Sequence, residues 1–126
     1  MKEFLMIFRN EKREGGAAPS AEQMQLVMQE WQNWIGGIAS QGKFVSTNRL
    51  YSEGSTLLPD GTVLDGPYAE LKEVVGGYLI VKADSLQAAQ EMAKGCPNLK
   101  YGGNVEIRAV MSIDQDVKSK AFLAEK

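Results

Sequence analysis

The sequence predicts an α+β protein in which a four-stranded antiparallel sheet carries two helices on one face. Three observations lead there. Segments with apolar residues at every second position alternate with segments where they recur every three or four. Their order is strand–helix–strand–strand–helix–strand, with a small hairpin between the second and third strands. The chain is 126 residues long, 44% apolar and 24% charged, so it can build one soluble domain with a core that needs no staples.

Lys2–Arg9 reads as the first strand. Phe4, Met6 and Phe8 fall on one face, and Leu5 and Ile7 on the other. Both faces are apolar, so this strand is expected to be central and covered on both sides. A polar, Gly-rich loop, NEKREGGAAP, follows. A helix is expected after Pro19, capped by Ser20 with Gln23 at the capping-box position. Met24, Val27, Met28, Trp31, Ile35 and Ile38 make its apolar stripe, and Trp34 borders it. Gly36 and Gly37 each cost about 1 kcal/mol relative to Ala inside a helix. That cost points to a close-packed backbone there or to a loosened last turn. Gly42 stops the helix.

Phe44–Tyr51 is the second strand. Pro59-Asp60-Gly61 is a strong turn signal between two short β-prone pieces, which makes a hairpin. Gly76–Ala83 is the third and most apolar strand, and Gly76 and Gly77 mark a bulge or a close backbone approach at its start. Asp84 is placed to cap the second helix, with Gln87 at its capping-box position. The buried stripe of that helix is Leu86, Ala89, Met92, Ala93 and Cys96; Gly95 and Pro97 end it, and NLKYGGN reads as a loop. VEIRAVMSI is the last strand, with Val105, Ile107, Ala109 and Met111 on one face and Glu106 and Arg108 on the other. From about residue 114 a short polar tail follows.

This order is the ferredoxin-like split βαβ plan, βαββαβ with an inserted hairpin. Both helices cover one sheet face, yet Leu5 and Ile7 make the other face apolar as well. No residues remain in the chain to bury it. A second copy is therefore expected there, giving a homodimer with its sheets face to face.

The totals exclude several chemistries. There is no histidine, so the usual general base near neutral pH and the commonest metal ligand are absent. With Cys96 as the lone cysteine, no zinc or copper set and no internal disulfide can be assembled. A Ser–His–Asp or Cys–His site within this chain is excluded. No metal and no cofactor are expected. Net charge is −2 with the signs interspersed, which argues against nucleic acid or an anionic membrane as partner. The apolar stretch of MKEFLMIFRN is too short for a signal segment or a membrane span, so a cytoplasmic protein is expected. EGGAAPS lacks the Lys-Ser or Lys-Thr of a phosphate loop. Cys96 reads as a small buried hydrophobe near a helix end.

DGPYAELKE, residues 65–73, and the VVGGYLIVKADSLQAAQEMAKGCP that follows it resemble the signature of the DGPF group of YCII-related proteins. The matching residues are Asp65, Gly66, Pro67, Ala69, Glu70, Lys72, Glu73, Gly76 and Gly77, with Tyr68 where Phe is usual. NVEIRAV resembles the family's terminal strand, and the likeness runs roughly from Lys2 to Met111. The resemblance implies one such domain over residues 1–126, built as a ferredoxin-like protomer of a dimeric α/β barrel. Some members pair a His with an Asp in the barrel cleft. This chain has no His, and Trp31 stands near that position. Related domains also occur beside sigma-factor-like regulators, which implies a regulatory association.

The same loop carries the candidate chemistry. Asp65-Gly66-Pro67 is first of all a turn, and Asp65 is also placed to hold a polar group at a cleft mouth or to act as a base. Glu70 and Glu73 would share one face of a helical turn. Lys72 is a candidate anion anchor, and Arg49 on the second strand is another. Trp31 and Tyr68 would wall the cleft; Tyr78 reads as a packing aromatic with a wet hydroxyl. Three readings compete. One is a small dimeric, regulatory module that binds a small polar molecule through Trp31, Arg49, Tyr68 and Lys72, assisted by Asp65 and Glu70. Another is a cofactor-free enzyme in which Asp65 or Glu70 transfers a proton on a small organic substrate, while Lys72 or Arg49 stabilises negative charge. The third is a dimeric scaffold that binds only other proteins. An enzyme needs a cleft carboxylate with a raised pKa near a donor; a binding module needs only shape and anchors.

Overall fold

A computed structural model describes residues 1–11, 20–65 and 73–111. Its elements run β1 (Lys2–Glu11), α1 (Ala21–Ser40), β2 (Phe44–Arg49), β3 (Ser55–Leu57), β4 (Val63–Asp65), β5 (Glu73–Ala83), α2 (Leu86–Ala93), α3 (Pro97–Lys100) and β6 (Asn104–Ala109). This is a mixed α/β arrangement with antiparallel sheets. Four strands lie in the order β2-β5-β1-β6, and β3 and β4 form a separate two-stranded ladder.

The alternating pattern decides which strands are central. Phe4, Met6 and Phe8 of β1 and Leu79, Val81 and Ala83 of β5 are buried on one face with Ile38, Ala89, Ala93 and Cys96. Opposed pairs carry this face across the ladder, Phe4 with Val81 and Met6 with Leu79. The intervening residues Leu5, Ile7, Val75, Tyr78 and Ile80 are only half-buried, because no described helix covers their side.

α1 starts as its cap dictates. Ser20 Oγ accepts from the Gln23 amide at 3.1 Å, and Gln23 Oε1 accepts from the Ser20 amide at 2.9 Å, a complete capping box. Trp31 and Trp34 stand edge to face with Phe8 and with each other, ring centroids 4.9 to 6.0 Å apart. Trp34 Nε1 donates to the Met92 carbonyl at 3.0 Å and ties α1 to α2. Met24 and Met28, expected in the buried stripe, are instead 41% and 47% exposed. Helical spacing says which side of α1 faces the core, but not how far along the helix the core extends; on β1 the buried residues end at Phe8. Gly36 and Gly37 also differ from expectation. The helix runs on to Ser40, and a Cβ at either glycine would meet nothing within 4 Å.

Other boundaries shift for local reasons. Ser85, not Asp84, caps α2, its Oγ accepting from the Ala88 amide at 3.1 Å; both residue types cap well, and the burial of Ala89 and Ala93 sets the helix phase. In that phase Leu86, expected to be buried, is exposed. Pro97 opens α3 rather than merely ending α2, since its missing N–H costs nothing in a first turn, and part of NLKYGGN is therefore helical. β5 begins at Glu73, ahead of Gly76. β2 ends at Arg49, short of Tyr51. β6 ends at Ala109, where the Val110 amide reaches the Glu3 carbonyl and β1 has nearly run out, so Met111 lies outside the strand and exposed. The hairpin turn is as expected: Asp60 Oδ1 accepts from the Thr62 amide at 2.9 Å, and Gly61 takes φ +90°. Among the described residues no helix is long and apolar enough to cross a membrane.

Candidate functional site

The site is built around the start of β5. The β1–β5 register shifts between Phe8 and Arg9: Phe8 faces Gly77, Arg9 faces Val75, and Gly76 is left as the extra residue of a bulge. Gly77 marks a close approach. A Cβ there would lie 2.8 Å from the Asn48 carbonyl oxygen and 3.3 Å from Arg49 Cα. β2 can therefore press its backbone on β5 at this point, and the Leu50 amide extends the contact by donating to the Gly76 carbonyl at 2.9 Å.

Arg49, Gly77, Phe8 and Val105 thus form one row across the four strands. Directly opposed residues project to the same face, so Arg49 lies on the face that carries the helices. Trp31 stands over this row, its ring centroid 4.9 Å from that of Phe8. The structure therefore brings Arg49 and Trp31 to one end of one face. β5 begins at that same end, at Glu73. Asp65 closes β4 opposite Ser55 and is exposed. Tyr68, Glu70 and Lys72 lie outside the described residues; Glu73 pairs with Glu11 at the tip of the β1–β5 ladder. Tyr78 points to the other face, where its hydroxyl accepts from Asn48 Nδ2 at 2.8 Å.

Chemically, this end presents an indole and a guanidinium with five donors, suited to a flat body carrying an anionic group. Among the described residues no carboxylate is buried, and no group of three His, Cys, Asp or Glu is arranged to hold a metal ion.

Sequence reasoning missed two polar clusters. Asn98 is buried, and its Nδ2 donates to the carbonyls of Arg9 at 3.1 Å and Asn104 at 2.9 Å, fastening α3 to the ends of β1 and β6. The Gly102-Gly103 pair ahead of the last strand was the available signal, because Gly103 packs directly on Asn98. The second cluster is Glu30, whose carboxylate accepts from Lys100 Nζ at 3.0 Å and Tyr101 Oη at 2.9 Å. The Lys100 hydrogen bond, then that of Tyr101, holds the Glu30 carboxyl below the usual range. With Trp34 and Cys96, Glu30 lines an open groove of about 700 Å³. Burial pushes the Cys96 thiol up to about 11, so it stays protonated and unreactive at neutral pH.

No curated protein matches the chain. The family model of the YCII-related domain does match, over residues 4–114. That span runs from within β1 to beyond β6 and takes in Arg49, Trp31 and residues 66–72. The chain belongs to the YCII-related family.

Proposed function

We propose that this chain, of the DGPF type within its family, is a small homodimeric module that binds a small polar molecule and acts through that binding as a regulator. The observation that carries the reading is the row Arg49–Gly77–Phe8 with Trp31 over Phe8, which puts a cation and an indole on one face at the end of the sheet where β5 begins. Tyr68 and Lys72 add a second wall and a second anion anchor from residues 66–72, and Asp65 and Glu70 supply acceptors at the edge of the site. The strand order supports a ferredoxin-like protomer. Its helix-free face carries Leu5, Ile7, Val75, Tyr78 and Ile80, bordered by the Arg9–Glu106 ion pair. A second copy laid face to face over this apolar centre makes a dimeric α/β barrel.

Native mass spectrometry of protein taken from cells without added ligand tests both halves. The expected result is a dimer that retains a small organic mass, with that mass lost in Arg49→Ala and the dimer lost in Ile80→Lys. A monomer at tens of micromolar would overturn the assembly. A mass still retained by both Arg49→Ala and Trp31→Ala would overturn the site. If the molecule is converted rather than retained, loss of turnover in Asp65→Asn or Glu70→Gln would identify the carboxylate that moves the proton.

A further inference from the structure

We propose that Asn10 is a ligand-facing residue of this same site, and that the ligand is a flat organic acid bearing a neutral polar group beside its carboxylate. The inference rests on the reading of the Arg49–Trp31 end given above. Asn10 follows Phe8 by two positions on β1 and so lies on the same face, opposite Val74 and past the bulge. Its carboxamide lies in a space that two glycines leave open. A Cβ on Gly103 would come within 2.5 Å of Asn10 Oδ1, and one on Gly76 within 3.3 Å of Nδ2. The amide makes no hydrogen bond to another described residue, and Asn10 is exposed.

Asn98 shows what a structural asparagine does in this chain: it is buried, and its amide bonds two carbonyls. Asn10 does nothing of that kind. Asn and Gly are both poor strand residues, yet Gly76 of β5 meets Asn10 of β1, with Gly103, just ahead of β6, on the other side. Two poor strand residues side by side at the end of the ladder, one of them an exposed amide with no hydrogen bond to another described residue, mark a functional position.

The chemistry of the ligand follows from what faces it. Arg49 and Asn10 stand on the same face with β5 between them. Two strand spacings separate them laterally, roughly 10 Å, which the extended guanidinium together with a carboxylate and the polar group beside it can span. Arg49 takes a carboxylate with two parallel hydrogen bonds. Asn10 offers one donor group and one acceptor, so it suits a neutral hydroxyl or carbonyl rather than a second anion. Trp31 gives the flat body an apolar wall.

Benzoate and 2-hydroxybenzoate are the probes, titrated into the full chain and followed in ¹⁵N–¹H spectra at the Asn10 amide, the Arg49 Nε–H and the Trp31 indole. Both acids should shift Arg49 and Trp31, and only 2-hydroxybenzoate should shift the Asn10 amide. Asn10→Ala should weaken 2-hydroxybenzoate about tenfold, the value of one good hydrogen bond, and leave benzoate within about twofold. Asn10→Asp occupies the same volume, so it serves if the alanine variant folds poorly; its charge should weaken both acids. Unchanged 2-hydroxybenzoate affinity in Asn10→Ala, with loss in Arg49→Ala, overturns the role of Asn10 and leaves the site reading standing. Absence of any shift at Arg49 and Trp31 in the unmodified protein overturns the ligand class, whatever mass is retained from cells.

Discussion

Gly36-Gly37 in α1 and Gly76-Gly77 in β5 are the same dipeptide under opposite constraints. Around the helical pair there is open space: a Cβ on either residue would meet nothing within 4 Å. Around the strand pair there is almost none. Gly77 lies under the β2 backbone, with the Asn48 carbonyl 2.8 Å from where a Cβ would stand, and Gly76 forms the bulge beside Asn10. The strand pair shapes the end of the sheet that holds Arg49, Trp31 and Asn10. The helical pair weakens α1 with no compensating contact among the described residues. A glycine's role is thus read from its neighbours in space, and Gly103, wedged among Asn98, Asn10 and Arg9, extends the crowded side of the contrast.

Substitution by alanine tests the contrast most severely at Gly103. A Cβ there would sit 2.4 Å from Asn98 Nδ2 and 2.6 Å from the Arg9 carbonyl oxygen, one of them fixed backbone. Gly103→Ala should cost about 3 kcal/mol in urea unfolding, the upper part of the range for overpacking. A cost near zero would mean that the β1–β6 end can open freely. Gly77→Ala should cost about 2 kcal/mol, because its obstacle is again backbone but a single strand can shift outward. It should also loosen Arg49, which would show as faster amide exchange at Leu50. Gly36→Ala and Gly37→Ala should each move stability the other way, raising it by about 1 kcal/mol. A loss at either position would reveal a partner's backbone packed against α1.

The smallest expected effect is at Glu30, which stands in the groove away from the crowded glycines. Its folded pKa is lowered from 4.5 by hydrogen bonds from Lys100 and Tyr101. The stabilisation is therefore present above the unfolded value and fades as pH falls through the folded one. The same bonds raise Lys100 from 10.5 and Tyr101 from 10.0, so their share is present at neutral pH and fades as pH rises through the folded values. Lys100 and Tyr101 are exposed and Glu30 is only half-buried, so the changes are slight. Melting temperature measured against pH in Glu30→Gln should show both limbs flattened; an unchanged acid limb would mean that the cluster does not persist in solution.

Much of this architecture was legible from neighbours in the chain. The Ser20–Gln23 box, the Pro59-Asp60-Gly61 turn and the Phe4–Met6–Phe8 alternation act over two to four residues, and the structure has all of them. The Gly76 bulge and the Gly77 close approach were legible too, as punctuation in an apolar strand. Ser85 rather than Asp84 was not, since two adjacent capping residues compete and the burial of Ala89 and Ala93 decides. Of the candidate site, Trp31 and Arg49 were identifiable as residue types, but nothing local says that they share an end. Asn10 was invisible, because its only signals are two glycines far along the chain.

The physics that operates between chain neighbours, periodicity, capping and turn geometry, was enough to settle the kinds and order of every element but the short α3, the apolar nature of both sheet faces and the chemistries that a chain without histidine cannot perform. Cross-strand register and steric exclusion operate between residues dozens of positions apart. They alone decided that β2 closes over Gly77, that Asn98 fastens α3 to two strands, that the core stops short of Met24 and Met28, and that Arg49 and Asn10 lie on the helix-bearing face at the end of the sheet near Trp31 and Phe8.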